Sequence, residues 1–185
     1  MSSITRRGFL SAAGTTTLLS ACGNGIGSNG AAEVDARVDS SRQYLLNNVA
    51  GTAELEQKAQ GVLWMPLVTE AGFLVGASYG EGALRIGGAT VDYYSAAQAS
   101  FGLQVGAQQY AHALFFLTPG ALNSFRTSEG LSFGADLKYA TPDQGGSIGA
   151  ETLTALDPVV AVVFGQAGLL VGASLEGTAY NRIIP

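Results

Sequence analysis

At 185 residues, 47% apolar and only 12% charged, with 26 glycines against 5 prolines, the chain is long enough for one domain with a real core and too apolar to be disordered. Its formal net charge is −5, and the basic residues beyond Cys22 (Arg37, Arg42, Lys58, Arg85, Arg126, Lys138, Arg182) are scattered, which argues against a nucleic-acid partner, because phosphates are neutralised by clustered Lys and Arg. No apolar run reaches the roughly 18 residues of a spanning helix, and a single cysteine excludes an intramolecular disulfide.

The N-terminus reads as an export leader. Thr5-Arg6-Arg7-Gly8-Phe9-Leu10 carries an arginine pair followed by Phe-Leu and a small, apolar stretch, the pattern of a twin-arginine signal. Leu19-Ser20-Ala21-Cys22 resembles the bacterial lipobox, in which the cysteine is acylated and becomes the mature N-terminus; the other reading is an ordinary secretory leader with an accidental cysteine at its end. The expected division is residues 1–21 as a twin-arginine-type lipoprotein signal peptide, 22–32 as lipidated Cys22 and a Gly/Ser/Asn tether, and 33–185 as the folded domain. All acidic residues follow Cys22, so losing Arg6 and Arg7 makes the protein more negative. Gly23 after the cysteine favours the periplasmic face of the outer membrane over the inner membrane.

Glu33 to Asn48 has helical periodicity, with Val34, Val38, Leu45 and Val49 on one stripe. That stripe either packs on the domain's own sheet or lies in a membrane interface, for which Val34, Arg37, Val38, Arg42, Leu45 and Lys58 are the lipid-contact candidates. Thr52 is expected to cap a second helix over Ala53 to Gln60, with Gly61 ending it. Strand periodicity follows: Val62 to Val68, a turn at Thr69 to Gly72, Phe73 to Ser78, Ala83 to Ile86, a tight turn at Gly87-Gly88, and Thr90 to Tyr94. Gln98 to Gln109 alternates, and Tyr110 to Leu117 is a strand holding His112. Thr118-Pro119 opens a helix to about Thr127. Leu131 to Thr141 is expected to be a strand, Pro142 to Gly149 a loop, and Val159 to Phe164, Leu169 to Leu175 and Ala179 to Ile184 the final strands.

Ala71 to Gly82, AGFLVGASYGEG, returns as Ala167 to Gly177, AGLLVGASLEG, each copy reading as a glycine-bearing strand closing on an acid. Convergent hairpin chemistry or duplication accounts for it. The recurrence places Glu81 and Glu176 at equivalent points; they are turn acids on the plain reading and a paired site on the sharper one. No catalytic constellation is complete. His112 is the sole histidine and no GxSxG elbow exists, zinc would need more His or Cys, and Gly80-Glu81-Gly82 lacks the lysine of a phosphate loop. No enzyme activity, metal or cofactor is expected. Trp64, Tyr79, Tyr93, Tyr94, Phe101, Phe115 and Phe116 are core residues by alternation, or an interfacial belt.

Gly72-Phe73-Leu74-Val75-Gly76, Tyr79-Gly80-Glu81-Gly82, Tyr93-Tyr94 and Ala99-Ser100-Phe101-Gly102-Leu103-Gln104-Val105-Gly106, in that order, resemble the SYLF-domain family of lipid-binding proteins, whose eukaryotic members regulate actin and whose bacterial members include lipoproteins. The resemblance extends over about Ala32 to Ile184. It implies an α+β fold, with N-terminal helices packed on a compact antiparallel, barrel-like β-domain, and binding of phospholipid or a phosphoinositide. Glu33 to Gln60 carries Arg37, Arg42 and Lys58 among more numerous acids, unlike the basic helix of the eukaryotic members. The expectation is a lipid-anchored envelope protein that binds phospholipid or a lipid-like ligand without catalysis; the alternative is an envelope protein-interaction module.

Overall fold

The computed structural model describes residues 28–128, 131–132, 138–140, 157–168, 175 and 177–185. Arg6, Arg7, Leu19, Ser20, Ala21, Cys22 and Glu176 lie outside that set, as do the loop 142–149 and all but the last residue of the strand expected at 169–175.

A single hairpin dominates the fold. Its arms are β1 (Gly61–Ile86) and β2 (Ala89–Phe116), which pair antiparallel from Ile86↔Ala89 to Gly61↔Phe116. Gly87 and Gly88 close it at φ 57° and 84°, conformations that glycine adopts without a Cβ penalty. The turn expected at Thr69–Gly72 does not form: these residues pair with Gln109–Gly106 inside β1. Register shifts at Met65/Val68 and Phe73/Val75 flank the place where the sequence suggested a break.

The hairpin folds over on itself. An extended chain from Trp64 to Gly82 would span on the order of 60 Å, yet a Cβ on Gly82 would lie 2.0 Å from the Trp64 carbonyl oxygen and one on Gly80 2.6 Å from that of Leu67. Gly80-Glu81-Gly82 is therefore the crossing point of one strand over itself, where backbone meets backbone too closely for any side chain.

β2 is the spine of a six-stranded open sheet in the order β3-β6-β2-β5-β4, with β1 on its other edge. β5 (Val159–Gly168) pairs with the C-terminal half of β2 and β6 (Ala179–Ile183) with Tyr93–Ala97; both are antiparallel. Of the single strand expected over Leu131 to Thr141, the described residues form two short strands with different partners. β3 (Leu131–Ser132) joins β6, whereas β4 (Lys138–Ala140) runs parallel to β5.

Strand alternation divides the core into two layers. Val62, Trp64, Ala113, Phe115, Val160 and Val162 face the helices α1 (Gly30–Asn48) and α2 (Thr52–Lys58). Leu63, Met65, Leu114, Phe116, Ala161 and Val163 face the folded-over half, with Tyr94, Tyr180 and Phe125. Phe125 comes from α3 (Pro119–Thr127), whose start follows the sequence reading, with the Thr118 hydroxyl accepting from the Ala121 N–H at 3.2 Å and Pro119 in the first turn. Thr52 is not a cap. Gly51, at φ 88°, precedes α2, while the buried Thr52 hydroxyl donates to the Val49 carbonyl at 2.7 Å and seals the end of α1.

Candidate ligand-binding groove

Helical geometry gives α1 a buried ridge and two flanks. Val34, Val38 and Leu45 are 1%, 0% and 0% exposed against the sheet, which corrects their expected role: they are core residues, out of reach of a lipid surface. Each flank meets a different part of the hairpin.

The flank of Ala36, Arg37, Ser40, Ser41 and Tyr44 overhangs a groove of about 620 Å³, within the roughly 300 to 1,000 Å³ typical of small-molecule sites. The groove is built by two bulges at one level of the sheet. On β1, Pro66 and Leu67 together oppose Ala111, between the pairs Met65↔His112 and Val68↔Tyr110. Proline has no N–H for the ladder, so the strand bulges there, and Leu67 is left 39% exposed. On β5 the register slips between Gln109↔Ala167 and Ala111↔Phe164, with Gly165 at φ 63°. Strands splayed on both sides of Tyr110 and Ala111 expose a mainly apolar floor of Pro66, Leu67, Ala111 and Phe164. Tyr44 stacks over Phe164, with centroids 6.3 Å apart and planes at 15°. Tyr110, buried at one wall, has its phenol pushed up to about 12, chiefly by desolvation.

Arg37 stands at the rim of this groove, exposed, its Nε donating to the Glu33 carbonyl at 3.3 Å. Among the described side chains it is the basic residue without a carboxylate partner. Arg42 grips Glu56 through Nε and Nη2 at 2.6 and 2.7 Å, a bond that raises its pKa. Lys58 pairs with Glu54, Arg85 with Asp35 and Asp39, and Arg126 and Arg182 share Asp92. Of the six lipid-contact candidates, then, only Arg37 lies at the groove; Arg42 and Lys58 are held by acids elsewhere.

The opposite flank is a latch. Asp35 accepts from the Thr90 hydroxyl at 2.7 Å and the Tyr93 hydroxyl at 2.8 Å, while Arg85 bonds Asp39 at 2.5 Å. Tyr93 has a raised pKa, mainly from burial and then from donating to Asp35. These bonds fasten the start of α1 to strand residues beside the Gly87-Gly88 turn.

The remaining expected site residues are dispersed. The Glu81 carboxylate accepts from the Tyr79 hydroxyl at 2.8 Å, and burial, followed by that bond, raises the Tyr79 pKa. His112 is fully buried, with Nε2 2.8 Å from the Tyr180 hydroxyl and Nδ1 unpartnered, and desolvation lowers its pKa to about 3. Trp64, Tyr94, Phe115 and Phe116 are core, whereas Tyr79 is 53% exposed. No group of three or more His, Cys, Asp or Glu able to hold a metal occurs among the described residues, and no described helix is long and apolar enough to cross a membrane.

Bent hairpin, helical cover and lateral groove define an α+β domain with a solvent-open apolar site. Residues 97–182 match the family model Ysc84, described as a Las17-binding protein actin regulator. That segment therefore matches the SYLF domain, as the resemblance implied. The match runs from mid-β2 through β6 and includes Ala99 to Gly106, but starts after Gly72–Gly76, Tyr79–Gly82 and Tyr93-Tyr94. No curated protein matches the chain.

Proposed function

We propose that the protein is a lipid-anchored envelope component, held at the periplasmic face of the outer membrane through Cys22, whose SYLF domain binds phospholipid or a lipid-like ligand without catalysis. The observation that carries this reading is the groove under α1: an apolar floor, two exposed hydrophobic side chains in Tyr44 and Leu67, and at the rim the unpaired cation of Arg37. An acyl chain on that floor gains about 0.8 kcal/mol per methylene buried. Arg37 then meets an anionic headgroup with no competing carboxylate. The non-catalytic part of the reading is supported by His112, which no substrate can reach. The anchor and the address rest on the leader motif.

Flotation of the Cys22→Ser chain with anionic and with neutral liposomes tests the domain. Recovery with vesicles is expected, Leu67→Asp lowering it at least tenfold for both lipids and Arg37→Glu mainly for anionic ones. If neither vesicle type recovers the protein, lipid binding is wrong. One stoichiometric envelope protein captured by cross-linking, with no bound lipid, favours the scaffolding alternative. Fatty-acid labelling of the precursor that is lost in Cys22→Ser checks the anchor.

A further inference from the structure

We infer that the groove under α1 houses one hydrocarbon chain bearing one negative charge, a fatty acid or a lysophospholipid, and does not accommodate a two-chain phospholipid. This rests on the lipid-binding reading and narrows its ligand. The first support is the width of the floor. Leu67, Ala111 and Phe164 stand in one line across three strands, because Ala111 pairs with Phe164 on β5 while Pro66 and Leu67 oppose it on β1. Neighbouring strands lie about 4.8 Å apart, so β1 and β5 are about 10 Å apart across β2. Large side chains occupy both margins: Leu67 on one, and on the other Phe164 with Tyr44 stacked over it. The small Ala111 lies between them, which leaves a slot one hydrocarbon chain wide.

Volume agrees with width. An apolar cavity of about 150 Å³ takes up benzene, so roughly 25 Å³ serves one carbon. The groove's volume of about 620 Å³ then houses roughly 25 carbons, enough for a hexadecanoyl chain and its head but not for two such chains. Methylenes of the second chain would stand in water, which opposes departure from a bilayer that buries both. The charge of the head follows from Arg37, which alone among the described lining residues is charged. Its Nε is held by the Glu33 carbonyl, and Nη1 and Nη2 make no bond among the described residues, so the terminal nitrogens offer parallel N–H groups to two oxygens of a carboxylate or phosphodiester. One guanidinium balances one charge. On a chain of net charge −5, a polyanionic head would keep uncompensated charge.

The Cys22→Ser chain, incubated with vesicles of dipalmitoyl phosphatidylglycerol containing either hexadecanoate or monopalmitoyl phosphatidylglycerol and re-isolated by gel filtration, should carry one single-chain molecule per protein in native mass spectrometry. Which of the two is retained identifies the source of the head. Retention of the two-chain lipid would overturn the inference while leaving the lipid-binding reading in place. Retention of nothing also overturns it, and flotation then decides the broader reading by itself. Calorimetry with dodecanoate and the uncharged dodecyl maltoside, both below their micelle concentrations, tests the head: Arg37→Gln should weaken dodecanoate at least threefold and leave the maltoside unchanged. Equal weakening of both, or the same weakening of dodecanoate in Arg126→Gln outside the groove, overturns the assignment of Arg37. Ala111→Leu should block the slot and abolish binding of both probes; undiminished binding in a variant folded by circular dichroism overturns the slot. Should that variant not fold, Tyr44→Ala, which removes the exposed ring from one margin, should let the two-chain lipid be retained, and continued exclusion of it would be equally fatal.

Discussion

His112 makes the chain's stability depend on pH in a range where carboxylates do not. Its imidazole is fully buried, one nitrogen bonded to Tyr180 and the other unpartnered, so a second N–H on protonation would face apolar surroundings with no acceptor. The folded pKa lies near 3 against 6.5 for the ordinary group, and the unfolded chain therefore binds the proton first as pH falls. The contribution of neutral His112 is complete above pH 6.5, begins to be lost below it, and is fully lost at about pH 3. From pH 7.5 to pH 5 the loss amounts to about 2 kcal/mol, well before most carboxylates titrate. Urea unfolding at these two pH values, for the wild type and for His112→Gln, measures it. Glutamine keeps a polar atom for the Tyr180 hydroxyl and removes the titration. The wild type should lose about 2 kcal/mol that the variant keeps; parallel losses in both would refute the buried, unpaired imidazole.

Other substitutions test the fold-over and the latch. Gly82→Ala, whose Cβ would meet the Trp64 carbonyl oxygen at 2.0 Å, should cost about 3 kcal/mol or more in urea unfolding, because backbone must move to admit it. Gly88→Ala, at φ 84° in open space, should cost only about 1 to 2 kcal/mol; equal costs would contradict the crossing of β1 over itself. Asp35→Ala removes the acceptor for Thr90 and Tyr93 and should cost about 1 to 3 kcal/mol, with faster hydrogen exchange in α1. Asp39→Ala breaks a pair whose acid is 67% exposed and should cost under about 1 kcal/mol.

What the sequence made legible is what neighbouring residues decide. The α1 ridge, the Gly87-Gly88 turn and the Thr118-Pro119 helix start each depend on a few adjacent residues, and all three form. Thr69 to Gly72 carried turn chemistry, yet a partner strand outweighs it: Gln109 to Gly106 supply the ladder bonds, and the disruption moves to bulges on either side. The described ends of the strand expected over Leu131 to Thr141 find different neighbours, β6 and β5, which no local pattern announces. The groove was not legible at all. Its lining comes from α1, Pro66-Leu67, Gln109 to Ala111 and Phe164-Gly165, and only tertiary pairing brings them to one level. Pro66 inside an apolar strand was the one available signal, since a proline there announces a bulge. Arg37 was named beside five others, and what singles it out, the pairing of other arginines with acids, is a property of the folded surface.

The length of the hairpin also bears on when the groove comes into being. If pairing spreads from Gly87-Gly88, where the loop to be closed is shortest, it must pass Ser78↔Gln98 and Glu70↔Gln108 before Val68 meets Tyr110. β5 can add its bulge only to a β2 already held in place, and contacts so distant in sequence are slow to form. The groove then belongs to the last part of the sheet to zip, and a chain captured before that stage would carry the turn but neither the Gly80-Glu81-Gly82 crossing, which needs Trp64 and Leu67 in place, nor a place for a ligand.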